Sequence, residues 1–473
     1  MQFNSYVFAA FFVIVLAVYN LPFITWRGQK WWLLVTSYVF YAAWDPVFIV
    51  LVWLATFVDW TAARMIANAP SRGRKRTLLI VSVIVNLGVL GYFKYGNFVL
   101  ANVVAGLHAI GVDYQPAPLD IVLPIGISFY TFHTLSYTLD VYLGRTQPTS
   151  SFLDFAVYVT FFPALVAGPI LRASQFIPQC ARRRRSTAPQ LAWGMALLVF
   201  GLFEKCVLAD VAFGPAADTL FDSKSAIGFT DAWVGTLAFA GQIFCDFAGY
   251  STCAIGVALC LGFSLPDNFR FPYAALGFSD FWTRWHISLS SWLRDYLYIP
   301  LGGNRVGPVR TYVNLMLTML IGGLWHGASW TFVIWGALHG AYLIGERVVV
   351  RLLPAGAWRS TASARLAGIA VTFFLVCIAW VFFRAPTFSQ AFAVLEAMFG
   401  CGGGPPVLSI AHVRLVLATI VAVLVIHYAM RDRSIEEVVE RASWPVCSVA
   451  LAFMIVAVIA MQSPHRAFIY FQF

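Results

Sequence analysis

One histidine of this chain lies deep in an apolar stretch, where a polar side chain is costly. His326 belongs to Leu315–Ile344, a run that contains no Asp, Glu, Lys or Arg. Gly322, Gly323 and Gly327 surround it, and we expect them to loosen or break a helix there. Irregular backbone at membrane depth is tolerated only inside protein or beside a water-filled cavity. Two interpretations stay open: a functional histidine, or a buried histidine that is hydrogen-bonded to a neighbouring helix.

A second histidine lies in an aromatic, amphipathic stretch. Placed on a helix at about 100° per residue, the apolar side chains of residues 280–299 gather in one sector of about 120°. His286 lies at the boundary between the two faces, and Ser290 follows one turn later. The richness in Trp and Arg predicts a single helix that lies along a membrane interface and ends at Pro300. The side chains of the apolar sector are Phe281, Trp282, Trp285, Leu289, Trp292, Leu293 and Tyr296.

A deep histidine without metal partners suits general-base catalysis. Its imidazole would take the proton of a hydroxyl group as the hydroxyl oxygen attacks an acyl carbonyl. His326 could serve in this way or as a nucleophile, and His286 could position or polarise the acyl group. His339 follows His326 by 13 residues, roughly 220° around an unbroken helix. The two would not share a face, so we do not expect a paired metal site. Acyl transfer is, at this point, one chemistry among several.

A carboxylate also lies in apolar surroundings. Asp246 is the one charged residue of Gln242–Ser251. It could orient a histidine or bind a substrate hydroxyl, and the simpler alternative is a structural hydrogen bond between helices. Glu204 and Lys205 are adjacent in the sequence, so they point to different faces of a helix and need not pair with each other.

The composition is that of a polytopic membrane protein. Of the 473 residues, 60% are hydrophobic and 11% are charged, and the mean hydropathy is +0.77, whereas soluble domains are about 25% charged. The net charge of +10 fits cytoplasmic loops that face anionic lipid. The basic clusters are short and separated by apolar spans, which disfavours a nucleic-acid partner. The eight cysteines show no Cys-x-x-Cys spacing, so we interpret them as core residues.

The apolar runs predict an all-α protein with about 11 to 14 membrane crossings. Arg182–Arg185 is the strongest cytoplasmic marker, and an even number of crossings between basic loops places both termini outside. Phe155–Ile177 contains Pro163, Gly168 and Pro169, so we expect it to be broken or re-entrant. No repeat or separate soluble domain is evident. The other predicted spans are Tyr6–Phe23, Trp31–Trp44, Pro46–Ile66, Thr77–Phe93, Asn97–Val112, Leu123–Tyr142, Leu191–Leu208, Trp233–Phe263, Val309–Leu324, Trp330–Ile344, Leu366–Phe383, Val413–Tyr428 and Trp444–Met461.

Several motifs together resemble one protein family, the membrane-bound O-acyltransferases, in their bacterial alginate O-acetylase branch. The family's catalytic histidine, in a Leu-Trp-His-Gly run, maps to His326, and the histidine of a Trp-His-Ile-Ser-Leu-Ser run maps to His286. Where the branch usually has Asp-Phe-Ser-Gly-Tyr-Ser-Asp, this chain has Ala248 and Thr252 but keeps Asp246. The matching runs are Gly91–Tyr95, Leu123–Tyr130, Ala167–Arg172, Phe281–Arg305 and Gly323–Ala328.

The resemblance implies a ring of transmembrane helices, with interfacial and re-entrant helices, around a thinned central catalytic channel. Residues 1–473 would form a single membrane domain. Residues 1–90 would supply N-terminal spans, residues 91–345 the acyltransferase core, and residues 346–473 the C-terminal spans and an aromatic tail.

The implied activity is transfer of an acetyl group from a cytoplasmic thioester donor, acetyl-CoA or an acyl carrier, to an exported, alginate-like polysaccharide. The protein would be a multi-pass component of the bacterial inner membrane, and a periplasmic, esterase-like partner would complete the transfer. No bound cofactor and no metal are expected. Ser290, Arg294, Trp325 and Asp246 are candidates to bind substrate or to support the two histidines.

The aromatic tail, Phe468–Phe473, is too apolar to favour solvent. We expect it to dock in the outer funnel of its own chain or against a partner. By the same resemblance, the hydroxyl of Tyr470 would accept the acetyl group at His326 and pass it to an external partner. The alternative is a tail that only anchors at the membrane interface.

Other functions stay open at this stage. The resemblance also leaves open D-alanyl transfer, or the acylation of peptidoglycan or cellulose, by the same mechanism. A transporter subunit for polysaccharide or ions would also be polytopic, although it would more often show inverted repeats and paired acidic residues. A purely structural subunit would not need His326.

Overall fold

The computed structural model describes residues 1–166, 168–352, 361–461, 466, 468 and 469. Every regular element in this part of the chain is a helix and none is a strand, which confirms the predicted all-α class. The α-helices are α1 (Tyr6–Tyr19), α2 (Trp26–Ala42), α3 (Ile49–Asn68), α4 (Arg72–Ala109), α5 (Ile127–Tyr142), α6 (Phe152–Thr160), α7 (Phe162–Leu165), α8 (Ala173–Cys180), α9 (Ala188–Leu202), α10 (Gly214–Phe221), α11 (Phe229–Cys260), α12 (Phe278–Arg284), α13 (Ile287–Leu293), α14 (Pro308–His326), α15 (Trp330–Leu352), α16 (Ala362–Arg384), α17 (Phe388–Met398), α18 (Ile410–Met430), α19 (Ile435–Arg441) and α20 (Trp444–Ala460).

Six helices in the described ranges are long and apolar enough to cross a bilayer, which takes about 20 residues. They are α3 with its preceding turn, α4, α11, α15, α16 and α18, while α1 and α20 are apolar but shorter. The protein is therefore a polytopic membrane protein, as predicted. The six helices are fewer than the predicted crossings because two predicted spans form the single helix α4 and several others form helices that are shorter or less apolar than a membrane span requires.

The predicted break between Thr77–Phe93 and Asn97–Val112 is wrong. α4 runs without interruption for 38 residues, about 57 Å at a rise of about 1.5 Å per residue. Its glycines, among them Gly91 and Gly96, do not stop it, because a glycine inside a helix costs only about 1 kcal/mol.

Two predicted interruptions are present. After α2, the chain forms a 3₁₀ turn, Pro46–Phe48, before α3 begins, and the Asp45 carboxylate accepts a hydrogen bond from the N–H of Val47. The predicted broken segment Phe155–Ile177 falls on three short helices, α6, α7 and α8. Proline explains both breaks, because it lacks the N–H that continues a helix and clashes with the preceding turn.

The chain forms two compact units. The first comprises residues 1–195 and 254–266, and the second comprises residues 196–253 and 267–473. In the first unit, the buried carboxylate of Asp59 accepts hydrogen bonds from Ser82, Asn86 and Thr138, which ties α3 to α4 and α5. The candidate site residues that the structure describes all lie in the second unit. The single membrane domain stays a prediction.

In the second unit, α14 and α15 pack backbone against backbone. A Cβ atom at Gly323 would lie 2.3 Å from the carbonyl oxygen of Phe332, and one at Gly336 would lie 2.3 Å from that of Met319. Both positions therefore need glycine, as is common where membrane helices approach closely. This contact fixes the end of α14, where His326 lies.

Candidate active site

His326 is the last residue of α14 and is only 3% exposed. Gly322 and Gly323 lie inside the helix, whereas Gly327 has extended backbone at φ −158° and ends it. The break expected around His326 is therefore confined to its C-terminal side. The two glycines within α14 stay helical because the helix packs tightly on α15.

Aromatic rings enclose the imidazole of His326. The ring centroids of Trp325, Trp335 and Phe383 lie 4.9, 5.0 and 5.4 Å from that of His326. Both tryptophans and Phe383 are almost fully buried. Walls of this kind exclude water and lower the local dielectric constant, which strengthens the electrostatic interactions of a reacting group.

The predicted single helix over residues 280–299 is wrong, because the chain turns sharply at His286. α12 ends at Arg284, α13 begins at Ile287, and a π-helix, Arg294–Tyr298, follows. His286 has left-handed backbone, φ 44° and ψ 55°, which costs about 1–3 kcal/mol for a residue other than glycine. Six of the seven side chains of the predicted apolar face are buried, on both sides of the turn, whereas Tyr296 is only partly buried. The six are Phe281, Trp282, Trp285, Leu289, Trp292 and Leu293.

Two backbone hydrogen bonds hold this turn. The N–H of Arg270 donates to the carbonyl oxygen of Arg284, and the N–H of Ile287 donates to that of Asn268, both at 2.9 Å. The loop over residues 268–270 therefore fastens the chain on both sides of His286. A strained conformation persists only where its surroundings over-determine it, and this loop meets that condition.

The side chain of Asn268 holds the imidazole of His286. Its Oδ1 lies 3.2 Å from His286 Nδ1, and it accepts hydrogen bonds from the backbone N–H of Ser288 at 3.2 Å and from Ser288 Oγ at 2.9 Å. Its Nδ2 donates to Ser251 Oγ on α11 at 3.0 Å. Asn268 is 1% exposed, so these bonds replace the water that a buried amide would otherwise lose.

The two histidines lie side by side. Their ring centroids are 6.4 Å apart, and the indole of Trp325 lies 6.0 Å from His286. This separation exceeds a direct hydrogen bond between two imidazole rings. Burial lowers the pKa of His286 to about 3, so its ring is neutral at pH 7. The site thus holds two imidazoles, of which at least His286 is uncharged, in an aromatic enclosure.

Of the predicted supporting residues, Trp325 lies at the histidines. The hydroxyl of Ser290 instead donates to the carbonyl oxygen of Trp282 at 2.6 Å and closes the turn between α12 and α13. Arg294 is exposed, and its Nε donates to the carboxylate of Asp295 at 2.8 Å. A role in substrate binding for Ser290 or Arg294 stays a prediction.

Asp246 belongs to a buried charge cluster. The ammonium group of Lys205 lies 2.8 Å from Asp246 Oδ1 and 2.8 Å from Asp210 Oδ1. Lys205 and Asp210 lie on a π-helix, Phe203–Phe213, between α9 and α10. The other oxygen, Asp246 Oδ2, accepts a hydrogen bond from the N–H of Ile469 at 2.7 Å. Asp246 therefore makes the structural contact between elements that was the simpler alternative, and its described partners include neither histidine.

Two residues of the predicted aromatic tail, Phe468 and Ile469, are described, and both are buried against their own chain, which is one of the two predicted alternatives. Phe468 is fully buried and Ile469 is 2% exposed. The ring of Phe468 lies 5.6 Å from that of Phe247, which lies 4.6 Å from the imidazole of His286. Tyr470 is outside the residues that the structure describes.

Asp280 stabilises the segment that leads into His286. Its carboxylate accepts hydrogen bonds from the backbone N–H of Leu276 and from the guanidinium groups of Arg284 and Arg431. Burial acts to raise the pKa of Asp280, but these hydrogen bonds outweigh it, so that the pKa lies below its usual value. α12 is thereby fastened to the residue that follows α18.

Comparison with known proteins matches the sequence of this chain to a protein family. The model of the membrane-bound O-acyltransferase family matches residues 12–385. The chain belongs to that family. It is 42% identical over 410 residues to the probable alginate O-acetylase of Pseudomonas aeruginosa, with 85% of this chain and 75% of the relative covered. It is 43% identical over 406 residues to the Azotobacter vinelandii protein of the same name (85% and 79% covered) and 38% identical over 400 residues to the peptidoglycan O-acetyltransferase of Helicobacter pylori (79% and 74% covered).

Membership of the membrane-bound O-acyltransferase family confirms the resemblance drawn from the motifs. The protein is an O-acyltransferase, and an acyl donor is one of its substrates. The matched range contains His286 and His326 as well as Asn268. Phe468 and Ile469 lie outside the matched range.

Sequence reasoning missed Asn268 and two of the aromatic walls, Trp335 and Phe383. A weak signal for Asn268 existed, because it is a polar residue in a short loop between Pro266 and Pro272. The aromatic walls carry no such signal, since 16% of all residues are aromatic and most of these rings serve the membrane or the core.

Proposed function

We propose that this O-acyltransferase transfers an acetyl group from a cytoplasmic thioester to an exported, alginate-like polysaccharide. The observation that carries the proposal is the pair of buried imidazoles, His286 and His326, with ring centroids 6.4 Å apart inside aromatic walls. The names of the relatives support the acetyl group and the class of polymer, because they refer to the O-acetylation of alginate and of peptidoglycan.

In the proposed reaction, His326 is the general base. Its imidazole takes the proton of the acceptor hydroxyl as that oxygen attacks the carbonyl carbon of the thioester. The C–S bond then breaks, and the proton passes from His326 to the leaving sulfur, so the histidine returns to its starting state. A positioned base of this kind contributes about 10²–10⁴-fold to the rate, and the dry aromatic enclosure strengthens its interaction with the developing charge.

The proposed location is the bacterial inner membrane. Thioester donors such as acetyl-CoA or an acyl carrier are cytoplasmic, and the acceptor polymer is exported, so the enzyme has to span the membrane that separates them. The apolar helices support a multi-pass arrangement. We further propose that a periplasmic, esterase-like partner completes transfer to the sugar, as the resemblance implies.

The tail tyrosine, Tyr470, is the proposed relay between His326 and that partner. A phenol, with a pKa near about 10, is a better leaving group than a sugar alcohol, so its acetyl ester stays transferable. The proposal is supported by the burial of Phe468 and Ile469 and by the ring of Phe468 beside that of Phe247, which contacts His286.

The test is acetyl transfer by the purified protein from a labelled thioester, with His326→Ala beside the wild type. We expect the variant to lose transfer while expression and membrane insertion stay normal, because one histidine at a helix end does not hold the fold. His339→Ala is the matched control, since His339 is equally buried and contacts the same Trp335 ring at 4.7 Å. Normal turnover by His326→Ala would refute the assignment.

The same assay separates the alternative substrates. Labelled acetyl-CoA, an acetylated carrier and a D-alanylated carrier are offered in parallel, each with alginate, peptidoglycan or cellulose fragments as acceptor. Acetyl transfer to alginate fragments is the expected result. Transfer of D-alanine, or of acetyl to a different polymer, would keep the mechanism and change the substrate. Absence of any acyl transfer with all donors would contradict the proposed activity itself.

A further inference from the structure

We propose that Asn268 is a positioning residue that holds the imidazole of His286 in the tautomer with its proton on Nδ1. In this tautomer Nε2 carries the lone pair, so it accepts a hydrogen bond from an O–H or N–H group of a substrate. The inference deepens the proposed function, because it assigns the second histidine of the same site, and it rests on acyl transfer taking place there.

The partners of the Asn268 amide fix its orientation, since oxygen and nitrogen of an amide are distinguished by their hydrogen-bond partners. The backbone N–H of Ser288 can only donate, and it points to Oδ1 at 3.2 Å. The opposite atom, Nδ2, lies 3.0 Å from Ser251 Oγ, which accepts from it. The N–H of Ser288 decides the orientation, because the hydroxyl of Ser251 could donate or accept and is consistent with either. The atom that faces His286 is therefore the carbonyl oxygen.

The carbonyl oxygen of Asn268 fixes which nitrogen of His286 carries the proton. A carbonyl oxygen accepts hydrogen bonds and cannot donate. The atom opposite it, His286 Nδ1 at 3.2 Å, must therefore carry a proton. A neutral imidazole has one N–H, so Nε2 is unprotonated. Complete burial of His286 favours the neutral ring, because an imidazolium would lose its hydration.

Asn268 holds both the backbone and the imidazole ring of His286. The Asn268 backbone carbonyl accepts from Ile287, and its side chain binds both His286 and Ser288. One residue thus fixes the backbone after the strained turn and the ring that projects from it. Ser251 on α11 fixes the amide in turn. Such outer contacts set the tautomer and orientation of a functional histidine.

The consequence is a choice between the two roles left open for His286 by the sequence. Polarising an acyl carbonyl requires an N–H directed at the carbonyl oxygen. The single N–H of His286, at Nδ1, donates to Asn268 Oδ1, and Nε2 carries no proton to donate to a carbonyl oxygen. The geometry therefore favours positioning, by acceptance of a hydrogen bond from substrate, over polarisation.

Nitrogen-15 NMR tests the tautomer directly. The full-length protein is labelled with ¹⁵N-histidine in detergent, and the His286 signals are identified by their absence in His286→Gln. We expect the chemical shifts of a protonated Nδ1 and an unprotonated Nε2. The reverse tautomer, or an imidazolium, in the wild type overturns the inference. This result does not depend on turnover, so it is separable from a failure of the proposed acetyl transfer.

A pH profile tests the consequence for activity. Asn268→Asp keeps the acceptor oxygen but adds a negative charge beside His286, which raises the pKa of the imidazole by about 1–3 units. Nε2 is then protonated at a higher pH and cannot accept, so the activity on the acidic side of the kcat/KM profile should be lost at a higher pH than in the wild type. Asn314→Asp is the control, because Asn314 is also buried but donates to the carbonyl oxygen of Gly303.

A merely structural role of Asn268 would appear differently. It would lower the rate of Asn268→Asp equally at every pH and leave the acidic side where it is in the wild type, which would contradict the inference. If Asn268→Asp does not fold, the tautomer measured in the wild-type protein decides the question alone.

Discussion

Lys205→Met should strongly destabilise the second unit. The Lys205 ammonium lies 2.8 Å from each of two carboxylates, Asp210 and Asp246, and the three side chains are 2, 6 and 4% exposed. Without the lysine, the two carboxylates stay buried next to each other and lose the positive charge that lies between them. Removal of one partner from a buried ion pair costs about 3–5 kcal/mol, because it leaves an uncompensated buried charge.

The free energy of unfolding is the quantity to measure, by titration with SDS in mixed micelles and tryptophan fluorescence. Asp246→Asn should cost less than Lys205→Met, because Lys205 keeps Asp210 and the amide oxygen can still accept from Ile469. Arg294→Met is the control for an exposed ion pair, which contributes about 0–1 kcal/mol.

Combining the changes sharpens the test. In the double variant, Lys205→Met with Asp246→Asn, a neutral amide replaces one of the two buried carboxylates. The double variant should therefore be more stable than Lys205→Met alone. Residues that touch are commonly coupled, and here the removal of one of two buried like charges sets the sign of the coupling. If Lys205→Met unfolded with the same free energy as the wild type, the reasoning from buried charge would be refuted.

Four other outcomes are expected. Cysteine at Ser186 should resist a membrane-impermeant reagent in intact cells, because Arg182–Arg185 is predicted to be cytoplasmic; ready labelling from outside would overturn that topology. Tyr470→Phe should abolish polymer acetylation, and wild-type protein should yield an acetylated tail peptide by mass spectrometry; full activity without such a peptide would leave an anchor only. Gly323→Leu should lower the thermal unfolding temperature, since its Cβ would meet the Phe332 carbonyl at 2.3 Å; an unchanged temperature would contradict the close packing. Asp280 has a lowered pKa, so the stability it contributes is present above its ordinary pKa and is lost as the pH falls through the lowered value; Asp280→Asn should remove this part of the acid sensitivity, and equal slopes for both proteins would count against it.

The features that the sequence predicted are those carried by residue type and periodicity. His326 was identifiable because it lies in a run without charged residues, and the apolar face around His286 because its period is that of a helix. Both signals are local. They identify a histidine at depth and a buried aromatic face, and they need no knowledge of what packs against them.

The features that escaped prediction depend on partners distant in the chain. The turn at His286 needs the loop at Asn268, 18 residues earlier in the chain. The apolar residues before and after the turn keep the period of one helix, so the sequence pattern does not reveal the turn. The ion pairs of Asp246 with Lys205 join residues 41 apart and include a π-helix. Hydrophobic period alone does not indicate which polar groups will meet.

The strain near the site has a common support. Among the residues that the structure describes, Phe271 and His286 are the non-glycine residues with positive φ, at 49° and 44°, and both border the contact between the 268–270 loop and the turn after α12. Each such residue costs about 1–3 kcal/mol, and the backbone hydrogen bonds of Asn268 and Arg270 hold the two segments together. Loss of Asn268 would therefore release the backbone turn together with the imidazole. This link between backbone and side chain explains why Asn268, a loop residue outside the periodic apolar pattern, controls the geometry of His286. The pattern itself predicted that His286 lies on a continuous helix.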